Sequence, residues 1–244
     1  MLKLSFQKLS LAPLLFLLLF LTPVPITSAF ATSPSGITKT KSSGLAGYEI
    51  ATPSDTITLV QGSWVVPTVT CKVGETTFSR YLVGIQGDDG GADFLCSSGS
   101  AVYSPDCEFL SIDTGCTGIS GGDKVSPGDK MTSVSTENYV THTATVTLTD
   151  TTKAWTYAHT FTDARSLIEG FWVLEGDSPL TKFTLLKTSG NLATIGSKHG
   201  SLASFSPSYP ITRYELVNGA DVLATTSSLS GTTSAFSIKW LKAS

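Results

Sequence analysis

The alternation of apolar and polar side chains predicts many short β-strands. Between Thr141 and Thr149, threonines alternate with His142, Ala144, Val146 and Leu148, the pattern of a strand with one buried face. We find no amphipathic helical pattern of useful length. Similar short runs recur between segments rich in Gly, Pro, Asp and Ser, at Ile57–Val60, Ser63–Pro67, Arg80–Ile85, Asp93–Ser111, Ala154–Phe161, Thr181–Leu186, Tyr214–Leu216, Val222–Thr225 and Ala235–Trp240. Such a series predicts an all-β fold, an antiparallel β-sandwich or jelly roll in a single domain.

One predicted strand has two unlike faces and is the most informative in the chain. Side chains alternate along a strand, so Ile168, Gly170, Trp172 and Leu174 share an apolar face that we expect to be buried. The opposite face carries Glu169, Phe171, Val173 and Glu175. Two carboxylates among apolar side chains are typical of the wall of a groove. By contrast, the Asp- and Gly-rich stretch Gln86–Gly91 is predicted to be a loop.

The amino terminus has the organisation of a secretory signal peptide, which we place at residues 1–31. Lys3 and Lys8 precede an apolar run from Leu9 to Leu21, and small residues follow at Ala29-Phe30-Ala31. The apolar run is shorter than the ~20 residues that cross a bilayer as a helix. We therefore expect a secreted, extracellular protein without a membrane span after signal removal. Residues 32–43 are predicted to be a flexible mature terminus, and residues 44–244 the β-sandwich domain.

Charge and cysteine content narrow the class further. Removing Lys3 and Lys8 with the signal changes the formal net charge from −3 to −5, and this acidic balance argues against a nucleic acid as partner. The four cysteines, Cys71, Cys96, Cys107 and Cys116, lack the close pairs of zinc sites. An even number in a secreted chain indicates two disulfides, for which three pairings are open. We favour a long link from Cys71 and a short loop closed by Cys116.

Seven motifs occur in a specific order along the mature chain: Gly44–Tyr48, Val60–Cys71, Leu82–Gly87, Val125–Asp129, Leu148–Trp155, Ala164–Ser166 followed by Phe171–Glu175, and Ile211–Ile238. Together they resemble the glutamic peptidase (eqolisin) family. The resemblance implies a jelly-roll sandwich whose concave sheet binds an extended peptide. It also implies acid endopeptidase activity, without metal or cofactor. A glutamate would activate water as general base, and a glutamine amide on a neighbouring strand would donate to the oxyanion.

The family's Gln/Glu dyad is not kept in register in this chain. Alignment on Trp172 places Phe171 at the glutamate position, whereas alignment on Arg165-Ser166 places Glu169 there. The glutamine position falls at Leu95 or Cys96, or near Asp89 when the family's cysteine is the anchor. The candidate site residues are therefore Glu169 as base, Gln86 as oxyanion donor, and Asp89. We expect Phe171 and Glu175 to line the substrate groove.

The first hypothesis is an active acid endopeptidase with a rearranged site that uses Glu169 with Gln86 or Asp89, and two further hypotheses remain. The second is a pseudoenzyme that binds peptides in the groove without cutting them, which the missing dyad favours. The third is a carbohydrate-binding β-sandwich, in which Trp side chains would stack on sugars. The three histidines have no spaced partners that would indicate a metal site. We expect the protein to be a monomer whose partner is an extended peptide or protein.

Overall fold

The structure, a computed structural model, describes residues 36–53, 57–109, 116, 124–162 and 168–244. The predicted signal peptide, residues 1–31, and the Ala164–Ser166 motif lie outside the described residues. None of the helical residues within these ranges forms a segment long and apolar enough to cross a bilayer.

The described residues form fifteen strands and one short 3-10 helix at Leu202–Phe205. The strands are β1 (Gly36–Ser42), β2 (Leu45–Ala51), β3 (Ile57–Val65), β4 (Ser79–Ile85), β5 (Asp88–Ser97), β6 (Ser100–Phe109), β7 (Lys130–Asn138), β8 (Thr143–Asp150), β9 (Trp155–Thr162), β10 (Glu169–Gly176), β11 (Leu186–Ile195), β12 (Lys198–Ser201), β13 (Pro210–Asn218), β14 (Asp221–Thr226) and β15 (Phe236–Trp240). The prediction of an all-β sandwich is confirmed.

One continuous, curled sheet makes both layers of the sandwich. Its strand order is β6-β5-β4-β10-β2-β13-β14-β15-β11-β3-β7-β8-β9. The first six strands form one layer, which we call the groove layer. The last five form the back layer, and β14 and β15 connect the two. All strand pairs are antiparallel except β1 with β13.

The core lies between the two layers and is dominated by large aromatic side chains. Trp64 of the back layer packs on Tyr81 of the groove layer, with ring centroids 5.2 Å apart. Trp172 of β10 is fully buried, and its indole Nε1 donates to the Gln61 carbonyl at 2.7 Å. Burying an aromatic side chain of this size contributes a few kcal/mol of stability, roughly 2–3. Trp172 thus fixes β10 against the back layer and leaves its opposite face free.

The structure differs from the sequence-based expectation in four segments. His142, expected on the buried face of its strand, precedes β8 and is exposed. The predicted loop Gln86–Gly91 is only a two-residue turn, because strand β5 already begins at Asp88. The predicted strand Thr181–Leu186 contains one isolated bridge at Phe183, and β11 begins only at Leu186. In the segment predicted to be a flexible terminus, Gly36–Ser42 forms strand β1, which pairs with β13 along its length.

Two disulfides clamp the groove layer and its flanking loop. Cys71 is bonded to Cys96 of β5, and Cys107 of β6 to Cys116. This is the favoured arrangement, a long link from Cys71 and a short loop closed by Cys116, and the structure confirms it. Cross-links of this kind stabilise a fold mainly by restricting the unfolded chain, typically by 2–4 kcal/mol.

Candidate active site

Strand β10 lies at the centre of the groove layer, between β4 and β2. Gly170, Trp172 and Leu174 are fully buried on the core face, as their alternation predicts. Glu169, Phe171 and Glu175 are partly exposed on the outer face. Ile168, expected to share the core face, precedes the strand and is 37% exposed. That part of the prediction was wrong, because the strand begins one residue later.

The register of β10 decides where its carboxylates lie. Pairing with β4 is continuous from Gly170 to Gly176, and pairing with β2 is continuous from Glu169 to Glu175. No bulge at Gly170 therefore moves Glu169 forward, and it stays two residues before Phe171, roughly 7 Å along the strand. A Cβ at Gly170 would lie 2.8 Å from Val60 Cγ2, so this glycine makes room for the core.

A row of residues crosses the outer face of the groove layer at Phe171. The register places Glu49 of β2 on one side of Phe171 and Gly84 of β4 on the other, followed by Asp89 of β5 and Glu108 of β6. A Cβ at Gly84 would lie 2.3 Å from Asp89 Cβ. The absence of a side chain at Gly84 therefore opens the space that Asp89 occupies beside Phe171.

These residues line a groove of about 280 Å³ on the outer face. Its apolar wall is formed by Leu45, Leu82, Phe171 and Val173. Its charged lining is Glu49, Asp89, Glu108, Glu175 and Arg80. A mainly apolar cleft with a few converging polar groups is the usual form of a ligand site. Four carboxyl groups against one guanidinium make this groove acidic.

Arg80 organises one end of the groove. Its guanidinium forms ion pairs with Glu175 at 2.6 Å, Glu108 at 3.1 Å and Asp106 at 3.2 Å. Burial lowers the pKa of Arg80, but the hydrogen bond to Glu175 and the three carboxylate charges outweigh burial and raise it above its ordinary value. The cation is thus held permanently among the carboxylates.

Asp89 is the most buried carboxyl group of the groove lining. It is 1% exposed, and its Oδ1 atom has no hydrogen-bond partner in the described part of the chain. Burial raises the pKa of Asp89 well above its usual range, and the charges of Glu108 and Asp106 raise it further. The raised pKa favours the protonated form of Asp89, which has an O–H to donate in the lining of the groove.

Asp93 and Asp106 extend this group of carboxyls along β5 and β6. Burial and the charge of Asp106 raise the pKa of Asp93 to about 6, although Ser104 donates a hydrogen bond to it at 2.9 Å. Burial also raises the pKa of Asp106 despite its contact with Arg80. The β5–β6 side of the groove thus holds several carboxyl groups that take up protons above the usual pH for aspartate.

The opposite end of the groove holds Glu49 and Glu169. Within the described part of the chain, neither carboxylate forms an ion pair with a Lys, Arg or His side chain. Tyr214 donates to Glu49 Oε2 at 3.1 Å. Burial and the neighbouring charge of Glu169 raise the pKa of Glu49. Burial and the Glu49 charge raise the pKa of Tyr214 to about 12, so this phenol remains a donor. Like charges meet here, whereas at the other end three carboxylates contact the Arg80 cation.

Gln86, the candidate oxyanion donor, lies in the turn between β4 and β5. Its side-chain Oε1 accepts a hydrogen bond from the Ile168 backbone N–H at 3.1 Å, and its own N–H donates to the Glu169 carbonyl at 3.0 Å. These bonds attach the turn to the start of β10. The gapless glutamine position, Cys96, is buried in a disulfide, and its neighbour Leu95 lies beside it on β5.

The structure brings together residues that sequence reasoning missed. Arg80, Glu108 and Glu49 come from three strands that are distant in sequence, and none of them was a candidate. The spacing of Asp106 and Glu108, two apart in a strand, was the one available signal that both share a face. Within the described ranges, no group of three or more His, Cys, Asp or Glu side chains is arranged to hold a metal ion.

The fold and the groove define a β-sandwich with an acidic ligand cleft on the outer face of its sheet. The Peptidase A4 family model matches residues 43–240, so the chain belongs to this family. No curated protein sequence gives a significant match.

The fold is similar to that of Scytalido-glutamic peptidase in two solved structures. The complex with a transition state analog inhibitor matches with a TM-score of 0.61 and 14% identity. The complex with a peptide-based transition state analog matches with a TM-score of 0.61 and 13% identity. The fold is also similar to that of SCP-B, a member of the eqolisin family bound to the tripeptide Ala-Ile-His, with a TM-score of 0.58 and 11% identity. Each match covers 82% of this chain and 98% of the other.

Proposed function

We propose that the protein is a secreted acid peptidase that binds an extended segment of a protein substrate in the groove and hydrolyses a peptide bond there. The observation that carries this proposal is the acidic groove on the outer face of β10, in a chain of the Peptidase A4 family. The predicted signal peptide and the two disulfides support secretion, because disulfides persist in oxidising compartments.

The shape and chemistry of the groove suit an extended peptide. Leu45, Leu82 and Val173 offer apolar contacts along its floor, and the carboxyl groups offer hydrogen-bond acceptors and donors for a peptide backbone. Acid conditions favour catalysis, because Asp89, Asp93 and Asp106 have raised pKa values through burial. The related Scytalido-glutamic peptidase and SCP-B bind a peptide-based analog and a tripeptide, respectively.

A cleavage assay tests the activity directly. Purified protein is incubated with acid-denatured casein at each pH from about 2 to 7, and new amino termini are quantified. We expect cleavage with a maximum on the acid side of pH 6 and no loss in the presence of a chelator. If no new termini form at any pH, the enzyme proposal is wrong.

A non-catalytic peptide-binding protein is the second candidate. Phe171, which cannot transfer a proton, lies on β10 directly before the anchor Trp172, and this observation favours binding alone. Peptide binding without cleavage, measured by calorimetry with casein fragments, would support it. A carbohydrate-binding role has less support, because Trp64 and Trp172 are no more than 2% exposed and cannot stack on a sugar.

A further inference from the structure

Two carboxyl groups face each other across neighbouring strands of the groove. Asp89 of β5 and Glu108 of β6 are direct partners in the antiparallel register. Directly opposed residues have Cβ atoms roughly 5 Å apart, so their carboxyl groups reach a common substrate atom or water. Both line the groove beside Phe171.

The environments of the two carboxyl groups are unlike. Asp89 is 1% exposed and keeps Oδ1 without a partner in the described residues, as an unused polar atom at the groove floor. The Glu108 side chain is 40% exposed and lies 3.1 Å from an Arg80 nitrogen. An acid–base reaction needs two such groups, one that stays protonated and one that stays charged.

The other carboxylates of the groove are less suited to the same task. Glu49 lies three strands from Asp89, roughly 14 Å at the usual strand spacing, which is beyond hydrogen-bond reach through one water. Glu169 lies on β10 two residues before Phe171, one row away from the row that contains Asp89 and Glu108. Glu175 accepts the shortest of the Arg80 contacts and is two rows away from the Phe171 row.

We propose that Asp89 and Glu108 form the catalytic pair of this groove, with Glu108 as general base and neutral Asp89 as the hydrogen-bond donor to the substrate carbonyl oxygen. This inference rests on the proposed peptidase function and assigns its chemistry to two residues on β5 and β6. Both lie on the opposite side of β4 from the β10 position where the family's glutamate is expected.

The reaction balances without a cofactor. The Glu108 carboxylate takes a proton from a water molecule while the water oxygen bonds to the scissile carbonyl carbon. The Asp89 hydroxyl stabilises the oxyanion that forms from the carbonyl oxygen. The C–N bond then breaks, Glu108 returns its proton to the leaving amine, and the carbonyl reforms as a carboxylic acid. Both side chains end in their starting protonation states.

The pair predicts a particular pH dependence. The charged groups that act on Asp89 are Glu108 and Asp106 of β6, Arg80 of β4 and Asp88 of β5. Activity requires charged Glu108 and neutral Asp89, so the pH–rate profile is bell-shaped. Its alkaline limb reports the loss of the Asp89 proton. Replacing Asp89 by asparagine keeps a hydrogen-bond donor that does not ionise, and this removes the alkaline limb due to Asp89.

The test compares kcat/KM of four variants on casein peptides across the pH range. We expect Glu108→Gln to lose at least about 100-fold and Asp89→Leu about 100-fold. Asp89→Asn retains more activity than Asp89→Leu and loses the alkaline limb. Asp221→Asn is the matched control, because Asp221 pairs with Lys242 at an exposed site, and it keeps wild-type activity. Thermal unfolding of each variant shows that it is folded.

Failure of this inference is distinct from failure of the proposed function. Cleavage by the wild type together with full activity of folded Glu108→Gln shows that the groove is a peptidase site but the pair is wrong. An unchanged alkaline limb in Asp89→Asn also overturns the role of Asp89. A wild type that cleaves nothing overturns both proposals at once.

Discussion

The two ends of β10 place glutamates on the same face of the same strand, yet their surroundings are opposite. Glu175 lies against Arg80, which also holds Glu108 and Asp106. Glu169 is instead a diagonal neighbour of Glu49 across β10 and β2, and the described contact of Glu49 is the Tyr214 hydroxyl. The neighbouring strands, and not β10 itself, therefore decide what a carboxyl group in this groove can do. At the Arg80 end the carboxylates share a cation, whereas at the Glu49–Glu169 end the carboxylates repel each other.

The largest expected effect on stability is at the Arg80 end of the groove. Arg80→Gln leaves three partly buried carboxylates without their cation. We expect the free energy of unfolding at pH 7 to fall by about 2–3 kcal/mol. This is less than the loss on breaking a fully buried ion pair, because these side chains are partly exposed. For a chain of this size the melting temperature falls by about 4–12 °C. Thermal unfolding measures it.

Lys242→Gln is the control for this change, because Lys242 forms an ion pair with Asp221 at an exposed site outside the Arg80 cluster. Its loss should be that of one exposed ion pair, about 0–1 kcal/mol. Equal losses in the two variants would show that the Arg80 network adds nothing special and would remove the contrast between the two ends.

An intermediate effect on stability is expected at Asp93, which pairs with Arg80 in the register of β4 and β5. Because burial and Asp106 raise its pKa in the folded protein to about 6, protonated Asp93 stabilises the fold at low pH. This contribution is complete below its ordinary value of 3.8 and is lost as the pH rises through about 6. Asp93→Asn should thus stabilise the protein relative to wild type at pH 7, by about 1–2 kcal/mol, and much less at pH 3. Denaturant unfolding at both pH values checks this, and a pH-independent difference would contradict it.

The smallest effect on stability is expected at the end of the groove that holds Glu49 and Glu169. Burial and Glu169 raise the pKa of Glu49, so its charged form weakens the fold above pH 4.5. Glu49→Gln removes this charge and keeps an acceptor for Tyr214, and we expect a gain of less than about 1 kcal/mol at pH 7. Unfolding in low and high salt measures it, because salt screens the repulsion and should reduce the gain. A loss of stability at pH 7 would mean that Glu49 has a stabilising charge partner.

Much of the fold was predictable because strand alternation is local. The buried face of β10, the alternation of β8 and the turn before β7 all follow from residues close in sequence. The start of strand β5 was missed because its first residues, Asp88 to Gly91, have the composition of a loop. Packing explains its glycines: a Cβ at Gly90 would lie 2.8 Å from Ser133 Oγ, and one at Gly91 2.1 Å from the Tyr81 carbonyl oxygen.

The candidate site was predictable only in part, because its contacts are made across strands. The alternation of side chains indicated a groove wall on β10 with Glu175, and the resemblance to the glutamic peptidase family named Asp89. The pairing of Asp89 with Glu108, and of Arg80 with three carboxylates, depends on the register of β4, β5 and β6. No local pattern fixes that register when the connecting turn itself is mistaken for a longer loop.

We place the chemistry of this groove at Asp89 and Glu108 and not on β10. The most direct measurement compares kcat/KM of Glu108→Gln and Glu169→Gln on one casein peptide at the acid optimum. We expect a loss of at least about 100-fold for Glu108→Gln and less than about tenfold for Glu169→Gln. The reverse order would place the general base on β10 and show that Glu108 is not the base.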